Sequence, residues 1–246
     1  YGWVIVALSF TTTLIAAGIR SSPSVLIHPF ESEFGWNRAA IASAISLNLF
    51  LYGAAAPVSG RLLDRYGPRV VMLGSLSLLI LGVSGTIFMT ELWHLILLWG
   101  IVVGLGAGGA SSVLSATVAQ RWFVARRGLV LGILNSASST GQLIFFPVLM
   151  TVIVHSGWRA GSLLLVGVCF VAGLCLLRWM KNEPSEIGLQ PYGAPLAGMD
   201  SSTGAPGGDS APALSLSQVV RTPTFWFLCG SFFICGGTAN GLVGTH

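Results

Sequence analysis

The chain alternates between long runs that carry almost no charge and short stretches that carry nearly all of it. The apolar runs cover 3–30, 39–60, 70–89, 92–118, 129–155, 160–177 and 225–246. A hydrocarbon core of about 30 Å takes about 20 helical residues to cross, and each run is near or above that length. Backbone amides find no water at that depth, so a crossing segment must be helical. The pattern predicts an all-α, polytopic membrane protein with a six-helix bundle followed by a seventh transmembrane helix. Of 12 Lys and Arg and 8 Asp and Glu residues, only Arg20 falls well inside a run.

One stretch breaks the alternation. Residues 182–217 are rich in Pro, Gly, Ser and Ala, with Pro206, Gly207, Gly208, Asp209, Ser210, Ala211 and Pro212 in sequence, which is the make-up of a flexible linker. The expected organisation is a bundle over 1–181, a linker over 182–220, and the start of a second bundle over 221–246. Ser215 or Ser217 is placed to cap a short helix through Val220, and Arg221, Thr222 and Pro223 open the last run. The first run is too long for a cleavable signal peptide. The whole reads as one half of a larger molecule plus the opening of its other half.

Charge orients the bundle. Loops on the side of Tyr1 carry Arg61, Arg65, Arg69, Arg121, Arg126, Arg127, Arg178, Lys181 and Arg221, against Arg38 and Arg159 on the other side. Short cytoplasmic loops are enriched in Lys and Arg, so the N-terminus is expected in the cytoplasm, with Asp64 and the linker beside it. The net charge of +4 is therefore a topology signal and not a nucleic-acid footprint, because charged residues are only 8% of the chain. Cys169, Cys175, Cys229 and Cys235 lie six apart within each pair, without CxxC spacing. They read as small apolar residues, so no metal or other cofactor is expected, and no enzyme.

Two loops carry motifs. Between the second and third runs stand Gly60, Arg61, Leu62, Leu63, Asp64, Arg65, Tyr66, Gly67, Pro68 and Arg69. Gly60 allows close helix approach, Gly67 a tight turn, and Pro68 suits the first position of a helix, while Asp64 can accept from helix-terminal N–H groups or pair with an Arg. This arrangement resembles the cytoplasmic signature loop of the major facilitator superfamily. The second motif runs Arg121, Trp122, Phe123, Val124, Ala125, Arg126, Arg127, Gly128, followed by Gly132, Asn135, Ser138 and Gly141. With Tyr1, Gly2 and Trp3 at the start, Gly35 to Arg38 before the second run, and Glu183 to Leu189 after the sixth, it resembles the monocarboxylate-transporter branch, which includes oxalate/formate-type antiporters. The neighbourhood Leu98, Trp99, Gly100 lacks the Arg that many proton-coupled members carry in the fourth span. Gly141 and Pro147 lie six apart, without the Gly-Pro pattern of drug antiporters. Both departures argue against a proton-driven drug exporter.

Arg20 is the leading candidate for substrate contact, because a mid-bilayer Arg costs about 2.5–3.5 kcal/mol on insertion scales. Ser9, Thr13, Ala16, Arg20 and Ser24 recur at helical spacing and form a small polar stripe beneath it. The other reading of Arg20 is an anchor snorkelling to the interface. Asn135, Ser139 and Gln142 share one face of the fifth span, and Asn48 and Tyr52 one face of the second, as further substrate candidates or as interhelical hydrogen-bond partners. Gly128, Gly132, Ser136 and Thr140 read as a packing stripe, as do Gly100, Gly104 and Gly108. His28, His94 and His155 sit near span ends and read as interfacial packing. Gly60, Asp64, Arg65, Gly67, Arg69, Arg121, Arg126 and Arg127 form the expected conformational latch.

The resemblance implies two six-helix bundles, the first built from inverted three-helix repeats, that rock about a midplane site. The implied cargo is a small carboxylate anion, moved by proton symport or anion exchange across a cell membrane, the bacterial cytoplasmic membrane being the expected one. The partners are then that anion, the lipid bilayer and the second bundle. A transporter-like membrane receptor or sensor and a carrier of a neutral or cationic solute are the alternatives.

Overall fold

The computed structural model describes residues 1–184, 188, 190, 192, 193, 222, 223, 225–227, 230 and 231. Two compact units divide the chain, Tyr1–Ala194 and Pro195–His246. In the second, Pro223, Phe225, Trp226 and Phe227 are helical, and the rings of Phe225 and Trp226 meet edge to face at 5.7 Å. Most of the expected linker and seventh helix, including Ser215, Ser217, Cys229 and Cys235, lies outside the described residues.

In the first unit every described regular element is helical. Helix α1 spans Gly2–Ser21 and α2 spans Pro23–Phe34. Pro23 cannot donate to the turn before it, so the first apolar run divides there into two helices. Helix α3 spans Arg38–Thr86, opened by Asn37, whose Oδ1 accepts from the Ala39 N–H at 3.0 Å. Then come α4 (Leu92–Leu95), a π-helical stretch (Ile96–Val103), α5 (Gly104–Gly109), α6 (Ser112–Trp122) and α7 (Arg127–Trp179).

Helix α3 has 49 residues and α7 has 53, more than twice what a bilayer core takes. Each is interrupted by one glycine with extended backbone at positive φ, Gly67 (φ 79°, ψ 168°) in α3 and Gly157 (φ 81°, ψ 166°) in α7. The direction of the chain reverses at both. Ala44, Asn48 and Ala55 meet Gly100, Gly104 and Gly108 in the same order, whereas Ser75 meets Gly109 and Gly82 meets Val103 in the opposite order. Likewise, Leu14 and Gly18 meet Gly141 and Phe145 in parallel, while Tyr1 reaches Trp179 and Phe30 packs on Trp158. Each long helix is thus a hairpin of antiparallel arms, 38–66 with 68–86 and 127–156 with 158–179. With α1–α2 and the 92–122 segment, six helical arms result, as the hydropathy pattern predicts.

Close approach depends on small residues. A Cβ on Gly104 would lie 3.1 Å from the Asn48 carbonyl oxygen, and one on Gly108 would lie 2.5 Å from Ala55 Cβ. The expected seam of Gly100, Gly104 and Gly108 therefore packs the fourth span on the second. The stripe expected at Gly128 and Gly132 does not pack in this way: a Cβ on either would meet nothing within 4 Å. The close contact of that arm is on another face, at Gly141, where a Cβ would fall 2.3 Å from the Leu14 carbonyl oxygen.

The fourth span is not one straight helix. After the π-helical stretch and α5, Ala110 (φ −97°, ψ 34°) and Ser111 (φ −84°, ψ −179°) leave helical geometry, and α6 starts afresh at Ser112. Gly106, Gly108 and Gly109 stand just before the break, where glycine's low helix propensity makes interruption cheap.

Candidate functional site

Helix α1, the 38–66 arm, α5 and the 127–156 arm converge on a small recess of about 10 Å³, room for about one water. Thr13, Ala16, Ala17 and Arg20 line it from α1, Tyr52 from α3, Ala107 from α5, Ala110 from the break after it, and Ser138 from α7. The guanidinium carbon of Arg20 stands 4.5 Å from the centroid of the Tyr52 ring. An aromatic face stabilises a cation by about 0.5–2 kcal/mol, more as water is removed, which offsets part of what Arg costs at this depth. Arg20 has no ion-pair partner among the described residues, where the ion pairs are Arg121–Glu183 and Arg159–Glu33. Thr13 is 3% exposed, and its Oγ1 has no hydrogen-bond partner among the described residues. A cation, a phenol, an unengaged hydroxyl and Ser138 therefore face one small space.

The structure sorts the sequence candidates. Arg20 and Tyr52 share the recess. Ser24 is exposed on α2, past the division at Pro23. Asn48 is 3% exposed and donates its Nδ2 to the Trp99 carbonyl at 2.7 Å, so its amide joins the second span to the fourth. Asn135, Ser139 and Gln142 are exposed. They share a face with Ser138, which is the residue of that face that reaches the recess. Thr13 and Ala16 of the polar stripe line the recess with Arg20, and Ser138, named in the sequence only as part of the second motif, joins them. Ser138 lies three residues after Asn135 and four before Gln142, a spacing that put it within reach of the same space.

The signature residues gather at the end that carries Tyr1. Gly67 makes the turn, and a Cβ there would lie 2.6 Å from Asn182 Oδ1. That oxygen accepts from the Arg69 N–H at 3.0 Å, and Arg69 Nη2 donates to the Leu177 carbonyl at 3.0 Å. Arg121 Nη2 donates to the Leu63 carbonyl at 3.0 Å, while Nη1 lies 3.5 Å from Glu183 Oε1. Arg127 donates Nε to the Phe123 carbonyl. Arg126 opens α7 at φ 62°, a left-handed geometry unusual outside glycine. Arg65 lies over the Tyr66 ring at 5.3 Å, and Gly60 faces Val113. Asp64 is exposed and has no ion-pair partner among the described residues. Within this loop Arg69 is engaged by the Leu177 carbonyl and Arg65 by the Tyr66 ring, and of the two options open to Asp64, pairing with an Arg is not seen among the described residues.

The opposite end is tied differently. Glu33 accepts from Trp158 Nε1 and pairs with Arg159 Nη2 at 2.7 Å. Phe30 and Phe34 pack on the same tryptophan, and Trp36 stacks on Phe34. His94 accepts from the Glu91 N–H at 3.2 Å, a local helix-opening contact consistent with its reading as interfacial.

Apolar helices of this length and number mark a multi-pass membrane protein. The chain belongs to the Major Facilitator Superfamily, whose family model matches residues 8–245. It is 24% identical over 236 residues to the Oxalate:formate antiporter of Oxalobacter formigenes, covering 94% of this chain and 51% of that protein. It is 31% identical over 167 residues to Monocarboxylate transporter 9 of Mus musculus, covering 68% of this chain and 32% of that protein. MFS-type transporter 1 of Ophiocordyceps sp. (strain BCC 1869) is 28% identical over 199 residues, 78% of this chain and 44% of that protein. The chain thus spans 32–51% of the length of these relatives.

Proposed function

We propose that the whole protein is a secondary active transporter that moves a small carboxylate anion across the membrane by alternating access. The observation that carries this reading is Arg20, a deep cation without a carboxylate partner among the described residues, facing a recess with Tyr52, Thr13 and Ser138. An anion entering that space would supply the missing counter-charge, and the hydroxyls would orient it. The names of the relatives, an oxalate:formate antiporter and a monocarboxylate transporter, support the same class of cargo. Proton symport and anion exchange are both compatible with it. In this reading 1–181 is the N-terminal bundle, 182–220 the linker and 221–246 the start of a second bundle. The end bearing Arg69 and Arg121 faces the cytoplasm, and the signature residues act as a latch between conformations.

The test is transport by the full-length protein in proteoliposomes, with labelled oxalate, formate and lactate offered under an imposed proton gradient or against preloaded anion. Arg20→Lys keeps the charge but loses the two-pronged geometry, so flux should fall partially. Arg20→Gln should lower kcat/KM about tenfold or more, the range of one lost charge-assisted hydrogen bond. A Gln variant with unchanged affinity and rate would leave Arg20 as a structural cation and favour a neutral cargo.

A further inference from the structure

A second cavity, of about 510 Å³, runs between α1 and the 158–179 arm of α7. Leu8, Thr11, Ile15, Val168, Val171 and Trp179 are among the residues that line it. It does not belong to the recess. At 100° per residue, its α1 side chains point roughly 140° away from Thr13, Ala17 and Arg20. A groove on the far side of α1 from the polar interior faces the surroundings of the bundle. Its wall makes no polar demand: Thr11 donates its hydroxyl to the Ala7 carbonyl at 2.9 Å, and Thr12 donates to Leu8 at 2.9 Å. Along α7 the lining stripe passes through Val168, Val171 and Cys175 to Trp179. Arg178 lies two turns beyond Val171 on that stripe, exposed and without an ion-pair partner among the described residues. Lys181 follows just past the end of the helix, after the extended Met180.

We infer that this groove is a binding site for an anionic phospholipid, with one acyl chain lying between α1 and α7 and the phosphate held by Arg178, Lys181 assisting. Shape suits an acyl chain, which is slender and flexible enough to lie within a groove of about 510 Å³ whose lining is largely apolar. Charge decides against a zwitterionic lipid, since an exposed Arg178 at the mouth, with Lys181 three residues on, complements a net negative headgroup. Trp179, 48% exposed at the same mouth, stands where an indole meets the interface.

The experiment is native mass spectrometry of the delipidated full-length protein, titrated with dioleoylphosphatidylglycerol and, separately, with dioleoylphosphatidylcholine. One site should bind the glycerol lipid about fivefold or more tightly, the preference expected of one or two basic residues near the headgroup. Arg178→Gln should abolish most of that preference and leave the choline lipid unaffected. Gly167 lines the groove, and a Cβ there meets nothing within 4 Å, so Gly167→Leu should fold normally and exclude both lipids from the site. Equal binding of the two lipids by the wild type, a preference that survives Arg178→Gln, or occupancy unaffected by Gly167→Leu would each overturn the assignment. So would a dimer that is lost in Gly167→Leu, which would identify a second copy as the occupant.

Discussion

Two glycines nine residues apart on one arm should respond to alanine in opposite directions. At Gly141 the new methyl would sit 2.3 Å from the Leu14 carbonyl oxygen and 3.0 Å from its carbon. Both obstacles are backbone, so no side chain can swing aside, and α1 must retreat by about 1 Å to restore ordinary contact. A gap of that size forfeits a quarter to a half of each dispersion contact along the seam. Overpacking of this kind costs about 1–3 kcal/mol. At Gly132 the same methyl meets nothing within 4 Å, and replacing a mid-helix glycine gains about 0.5–1 kcal/mol. The propensity gain applies at both positions and cancels, so the two variants should differ by the overpacking cost of about 1–3 kcal/mol. Unfolding of the full-length protein in mixed dodecylmaltoside and dodecyl sulfate micelles, followed by tryptophan fluorescence, measures the difference. Equal stabilities, or a loss at Gly132 matching that at Gly141, would show that α1 and α7 do not pack as described.

Tyr52→Phe keeps the ring under Arg20 and should leave carboxylate affinity within a few-fold, whereas Tyr52→Leu should weaken it further; equal effects of the two in a flux assay would remove the ring from the site. Asp64→Asn in the full-length protein should slow turnover with substrate affinity within a few-fold, and lost binding in a folded protein would contradict a latch role. An impermeant thiol reagent applied outside intact cells should label single cysteines at Glu91 or Gly157 and not in 182–217, in a background without native thiols. Labelling of 182–217 from outside would invert the topology.

The arms and their turns were legible because membrane crossing imposes a length, and because Gly67 beside Pro68 announces a reversal. The second reversal, at Gly157, carries no such signal and had to be inferred from hydropathy alone. Which face of each arm meets which neighbour was far less legible. A span between lipid and protein is apolar on both sides, so the usual contrast that orients a surface helix is weak. That is why Asn48, equally suited to a ligand or a joint, turned out to hold the Trp99 carbonyl. The Gly128–Gly132 stripe looked like a seam while the contact lay at Gly141 for the same reason. The interruption at Ala110 and Ser111 was invisible because no proline marks it.

That interruption has an electrostatic consequence. A span that stops at Gly109 and restarts at Ser112 presents both ends of its peptide dipoles there, carbonyls of the first piece and N–H groups of the second. Ala110, between the two, is part of the wall around Arg20. These polar groups are written in backbone geometry rather than in any ionisable side chain, so no count of Lys and Arg registers them and no change of pH removes them. A solute approaching Arg20 would meet backbone acceptors and donors beside the guanidinium, one partner that mutation can delete and another that persists as long as the fourth span stays broken.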